Sequence, residues 1–184
     1  MKRIIIIHGW SGSPNDNWLP WLKAELEKQG HAVLVPNMSD SNNPVIEKWV
    51  SHLAQIVGTP DKETFFVGHS IGCQAILRYL ETIDTSVGGA VFVAGWFNLE
   101  NMESKLEEIT AKPWIETAID FEKIKSILPK STLIISDNDP YGAFQENKEK
   151  FIELGSKIVV LPKAGHITGS QCSEALSEIE LMLN

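Results

Sequence analysis

The 184 residues include only two cysteines, Cys73 and Cys172, and these form neither a Cys-x-x-Cys pair nor a spacing with histidine suited to a metal. A disulfide framework is therefore not expected, and reduced thiols point to a cytoplasmic protein. Cations are scarce as well: 16 Lys and Arg stand against 24 Asp and Glu, a formal charge of −8. Such a balance repels phosphate backbones and anionic lipid heads, so neither nucleic acid nor a membrane is an expected partner. Long apolar runs are missing, which leaves no candidate for a bilayer-crossing helix. Lys2 and Arg3 do precede Ile4–Ile7, but that run is far shorter than a signal-peptide core and stops at His8-Gly9. Internal repeats and low-complexity tracts are absent too.

What is present is enough for one core. Apolar residues make up 43% of the chain, and a chain of this length can bury them in a single domain, 1–184, without metals or disulfides. Short β-branched or aromatic runs recur at Ile4–Ile7, Ala32–Val35, Thr64–Val67, Ala90–Val93, Thr132–Ile135 and Lys157–Leu161. Their near-continuous apolar character, without alternation, is that of parallel strands covered on both faces.

Helical patterns separate these runs. Asn43-Pro44 reads as an N-cap and first helical position, after which Ile46, Trp49, Val50, Leu53 and Val57 line one face until Gly58. Trp18, Leu22 and Leu26 form a second stripe ending at Gly30, with Pro20 tolerated in the first turn. Further helices are expected near Ser70–Ile83, Ala118–Leu128, Tyr141–Leu154 and Ser173–Met182. Asn98 to Pro113 reads as a helix and loop over the site, too short for a cap domain. Alternating strands and helices predict a three-layer α/β/α sandwich, whose sites form beyond the carboxyl ends of the strands.

Polar motifs fall at those ends. Gly68-His69-Ser70-Ile71-Gly72 lies between a strand and a helix, the context of a nucleophile elbow. The turn is sharp enough that small residues are needed two before and two after the serine. A pattern with three defined positions recurs by chance, so the order of the other parts matters. A carboxylate follows the strand Thr132–Ile135, and Gly165-His166 follows Lys157–Leu161; Ser, Asp, His is the chain order of α/β hydrolases. In that scheme His166 takes the proton of Ser70 and later returns it to the leaving group, while an aspartate orients the imidazole.

Two aspartates, Asp137 and Asp139, compete in Ser136-Asp137-Asn138-Asp139-Pro140, and their shared parity prevents side-chain alternation from separating them. Asp139 is favoured because it lies further into the loop and Pro140 biases it to an extended backbone. Asp137 would then bond nearby backbone amides as a turn residue. The oxyanion hole needs two backbone N–H groups, for which Ile71 and Trp10 are the candidates. His8 and His69 flank the site beside glycines and read as supporting residues. Cys73 reads as a small buried hydrophobe.

Among six tryptophans, Trp10, Trp18, Trp96 and Trp114 are placed near the carboxyl edge, where they read as an aromatic pocket or, for some of them, as core, whereas Trp21 and Trp49 fit helix faces and read as core. Glu100–Glu108 reads as a solvated helix face that could hinge over the site.

Together, Ile4–Trp10, the elbow, Ser136–Pro140 and Gly165-His166 resemble the α/β hydrolases, and most closely the small cap-less serine hydrolases of the retinoblastoma-binding protein 9 type. Asn17-Trp18-Leu19-Pro20-Trp21-Leu22 is similar to that branch too. The resemblance implies six strands in the order 2-1-3-4-5-6, the triad Ser70, Asp139 and His166, and no cofactor or metal. It implies no retinoblastoma-protein partner, since Ile71-Gly72-Cys73-Gln74-Ala75 does not match Leu-x-Cys-x-Glu. The expected activity is hydrolysis of a small ester, thioester or amide through an acyl-enzyme, and a monomer would suffice for it. The rivals are a catalytically silent binding module on the same fold and an acyltransferase using the same residues.

Overall fold

The computed structural model describes residues 1–184. Its centre is one parallel sheet built from β1 (Arg3–Ile7), β2 (Ala32–Leu34), β3 (Thr64–His69), β4 (Gly89–Val93), β5 (Ser131–Ser136) and β6 (Lys157–Leu161). The spatial order is β2-β1-β3-β4-β5-β6, as the resemblance implied, and every neighbouring pair is parallel. Between the strands run α1 (Leu19–Lys28), α2 (Ile46–Val57), α3 (Ile71–Glu81), α4 (Lys105–Glu116), α5 (Phe121–Ile127) and α6 (Phe144–Leu154), and α7 (Ser173–Leu183) closes the chain. No helix is long and apolar enough to cross a membrane.

The alternation of side chains along each strand divides the core into two. In β1, Ile4 and Ile6 face a cluster with Leu22 and Leu26 of α1 and Ile179 of α7. Ile5 and Ile7 face the opposite cluster, with Leu53 of α2, Ile76 of α3 and Phe151 of α6. All four isoleucines are fully buried, and burying each such side chain is worth about 1.5–3 kcal/mol. Burial on both faces explains why the strand reads as a continuous apolar run. β3 is likewise buried throughout, and α3 behind it is buried from Ile71 to Leu80. The elbow joining them therefore sits between two buried elements.

The structure moves some expected boundaries. Helix α2 begins at Ile46, not at Pro44, because Val45 is extended (φ −116°, ψ 127°) and the carbonyl of Pro44 accepts the indole N–H of Trp114 at 3.0 Å. That contact holds the Pro44 stretch against α4 and delays the helix by two positions. Between Asn98 and Pro113 the helix is α4, which starts after Ser104, whose hydroxyl accepts the N–H of Glu107 at 3.2 Å. Pro113 lies inside its last turn rather than ending it.

Candidate active site

Ser70 stands between β3 and α3 with φ 54° and ψ −124°, a combination that costs a non-glycine residue about 1–3 kcal/mol. The flanking glycines show why the pattern is needed. A Cβ on Gly72 would lie 2.5 Å from the carbonyl oxygen of Ile7 and 2.7 Å from that of His8, and one on Gly68 would lie 2.8 Å from Cys73 Cα. The serine N–H is held by Val93 O at 2.9 Å, so β4 helps to pin the turn. The hydroxyl lies at the N-terminus of α3, where the helix dipole favours negative charge. Its one side-chain partner is Trp96, whose Nε1–H donates to Ser70 Oγ at 3.4 Å.

The histidine turn is held differently. The N–H groups of Lys163, Ala164 and Gly165 donate to Asp137 Oδ1, Ser136 Oγ and Asn138 Oδ1 at 2.8, 3.0 and 2.8 Å. The next residue continues the series, because His166 Nδ1 lies 2.7 Å from Asp139 Oδ2. Four consecutive side chains, from the last residue of β5 onward, thus grip four consecutive residues after β6. The other carboxylate oxygen of Asp139 accepts the Tyr141 N–H at 3.0 Å, which orients the acid. Of the two candidate aspartates the structure places Asp139 against the imidazole. Asp137 does bond a backbone amide, but that of Lys163 in the histidine turn rather than a neighbour in its own.

From the other side, the carbonyl of His166 accepts the His69 Nε2–H at 3.1 Å, and the carbonyl of Ile167 accepts the Trp18 indole at 3.0 Å. The two donors also meet edge to face, with ring centroids 5.7 Å apart. These anchors hold a strained turn, since the β-branched Ile167 has φ 53°. Burial, then the proximity of His166, lowers the pKa of His69 to about 4. It is accordingly a neutral donor rather than an acid or base at pH 7. His8 is neutral for the same reason: burial lowers its pKa, its Nε2 accepts the Met38 N–H at 3.0 Å, and its Nδ1 faces Gly9 O at 2.8 Å. Burial raises the Cys73 pKa, so the thiol beside the elbow stays protonated and packs as a hydrophobe.

Ser70 and His166 open on a cavity of about 310 Å3, whose walls include His8, His69, Trp10 and Trp96. That volume suits a small ligand. Two tryptophans expected there are absent from its walls. Trp18 and Trp114 are essentially fully buried in the core, where their indoles satisfy carbonyl groups. The acidic run is only partly a solvated face: Glu100, Glu103 and Glu107 join Asp16 on the cavity wall, and no Lys or Arg does. None of these four carboxylates makes a salt bridge. Of the expected oxyanion donors, Ile71 directly follows Ser70 and Trp10 lines the same cavity from the loop after β1. Ile71 opens α3, whose first N–H groups have no acceptor within the helix, and the Trp10 N–H makes no hydrogen bond in the loop after β1.

Sequence reasoning missed the paired grip of residues 136–139 on 163–166, and it missed the anchoring role of Trp18. The polar spacing Ser-Asp-Asn-Asp was visible, but its partners lie 26 to 28 residues away.

A family model described as serine hydrolase matches residues 4–184. YdeN of Bacillus subtilis (strain 168), a hydrolase by name, is 29% identical over 167 residues, which cover 90% of this chain and 85% of that protein. The rat serine hydrolase RBBP9 is 25% identical over 181 residues, covering 97% and 89%. The crystal structure of the B. subtilis ydeN product superposes with a TM-score of 0.89 at 26% identity, over 99% of this chain and 98% of that one.

Proposed function

The chain belongs to the serine hydrolase family, and we propose that it cleaves a small neutral ester, thioester or amide through an acyl-enzyme formed on Ser70. In this reading His166 Nε2 takes the Ser70 proton as Oγ attacks the substrate carbonyl, then passes it to the leaving group. Asp139 holds the Nδ1–H and stabilises the imidazolium that forms. The N–H groups of Ile71 and Trp10 receive the carbonyl oxygen as it becomes tetrahedral. Water then repeats the sequence on the acyl-enzyme and frees the product. No step calls for a cofactor.

One observation carries the reading: a strained serine and a histidine already paired to a carboxylate line the same small cavity. The carboxylates of Asp16, Glu100, Glu103 and Glu107, none of which meets a Lys or Arg, bear on substrate charge, because a wall of one sign in a concave site repels ligands of that sign. Neutral acyl groups are therefore preferred to anionic ones. A fluorophosphonate probe should label the protein at Ser70, as mapped by peptide mass. Ser70→Ala should lose labelling together with about a million-fold in kcat. Hydrolysis at the wild-type rate by Ser70→Ala would remove the serine from the mechanism, and a folded wild-type protein inert to the probe would favour a binding module.

A further inference from the structure

The reactive oxygen has a neighbour that the Ser-His-Asp scheme leaves without a task. Trp96 Nε1–H donates to Ser70 Oγ at 3.4 Å and makes no other hydrogen bond. The residue is only 2% exposed, and a buried indole N–H keeps an acceptor because water is not there to replace it. Its position is set by three constraints that do not involve substrate. Ala94, just after β4, has φ 49° and turns the chain back over the elbow. Gly95 packs so closely that a Cβ would lie 2.7 Å from the Phe151 ring. The carbonyl of Trp96 accepts Gln74 Nε2–H at 3.0 Å, and Gln74 lies on α3, the helix that Ser70 directly precedes.

We propose that Trp96 is a catalytic residue for the second half of the reaction, its indole N–H assisting the departure of Ser70 Oγ from the acyl-enzyme. The proposal rests on Ser70 being the nucleophile. Ser70 Oγ has one proton, which goes to His166, and two lone pairs. One pair forms the bond to the acyl carbon, and the other, with the pair that the departing proton leaves behind, stays on Oγ where the indole N–H can reach it. In the acyl-enzyme Oγ is an ester oxygen, a weaker acceptor than a hydroxyl, so the indole bond weakens once the acyl group is in place. Deacylation reverses this. Water attacks the acyl carbon and gives its proton to His166; the C–Oγ bond then breaks with its electron pair moving onto Oγ, and His166 returns the proton there. The N–H meets charge developing on Oγ, so its bond is stronger in this transition state than in the acyl-enzyme before it. Only such differential stabilisation accelerates a step. Acylation starts from a hydroxyl that already holds the bond and gains little from it.

The test separates the two half-reactions by stopped flow with p-nitrophenyl acetate, the burst reporting acylation and the steady state deacylation. Two replacements are made at position 96: Trp96→Phe, and 3-benzothienylalanine, which keeps the bicyclic shape but carries sulfur in place of N–H. Both should deacylate about tenfold more slowly while acylation stays within about twofold. kcat and KM should then fall together, kcat/KM should stay near the wild-type value, and the acetyl adduct on Ser70 should accumulate by intact mass. Unchanged deacylation in the benzothienyl protein, or equal slowing of both steps, would overturn the role of the N–H. The benzothienyl protein decides the matter where Trp96→Phe does not fold. Should the wild type form no acetyl adduct on Ser70, the nucleophile assignment fails first and this proposal with it.

Discussion

The serine elbow and the histidine turn line one cavity and are held by different forces. The elbow is gripped by backbone: Gly68 and Gly72 leave no room for a Cβ against Cys73, Ile7 and His8, and the strained Ser70 is locked between buried β3 and buried α3. The histidine turn follows the edge strand β6, which is partly exposed along its length. Close packing is not available there, so hydrogen bonds replace it. Side chains of Ser136, Asp137, Asn138 and Asp139 hold it from one side, and His69 and Trp18 from the other. Steric enclosure tolerates almost no change in shape, whereas a distributed hydrogen-bond grip tolerates the loss of most members and depends on protonation.

The largest test of that contrast lies within the grip itself. Asp139→Asn should lower kcat by about ten-thousand-fold, as loss of the orienting acid does in serine proteases, while Asp137→Asn should cost about tenfold or less, since it removes one of several amide contacts. Comparable losses in steady-state kinetics would mean that the turn behaves as a single rigid unit.

Protonation is the next lever. The pKa of His69 is lowered from 6.5 to about 4 in the folded protein, so the unfolded chain binds the proton first. Its contribution to stability is complete above pH 6.5 and drains away as pH falls towards 4, about 3 kcal/mol in all. Burial of His8 adds a loss of the same sign. Urea unfolding at pH 7 and pH 4.5 should show the decline, and His69→Gln should show a smaller one. An equal decline in both proteins would mean that carboxylates alone set the acid limb.

On the steric side, Gly72→Ala forces its methyl against two carbonyl oxygens of β1 and the loop after it. The expected cost is about 2–3 kcal/mol in denaturant unfolding, typical of overpacking. A neutral result would show that the elbow relaxes as freely as the histidine turn. The smallest effect belongs to Trp18→Phe, which removes the indole N–H from Ile167 O and keeps most of the buried ring. About 1 kcal/mol of stability should go, with a larger relative change in kcat than in KM because the turn that carries His166 loosens.

The same contrast separates what could be read from the chain. The six strands were legible because burial on both faces leaves continuous apolar runs, and the elbow was legible because close approach demands glycine at two defined offsets from Ser70. Trp18 and Trp114 were misplaced towards the pocket because an indole N–H in the core and one in a pocket look alike until its carbonyl partner is known. The start of α2 was set two residues early because Asn43-Pro44 is a sound local cap that a distant contact from Trp114 overrides.

By itself, then, the sequence determined the sheet, its crossovers and the candidate nucleophile, all consequences of local pattern and short-range sterics. The sequence favoured Asp139 over Asp137, but only the tertiary structure put its carboxylate against His166, turned Glu100, Glu103 and Glu107 to the cavity, and aimed the Trp96 N–H at Ser70 Oγ. Each of these depends on which residues far apart in the chain lie within hydrogen-bonding reach, and neither alternation nor composition carries that information.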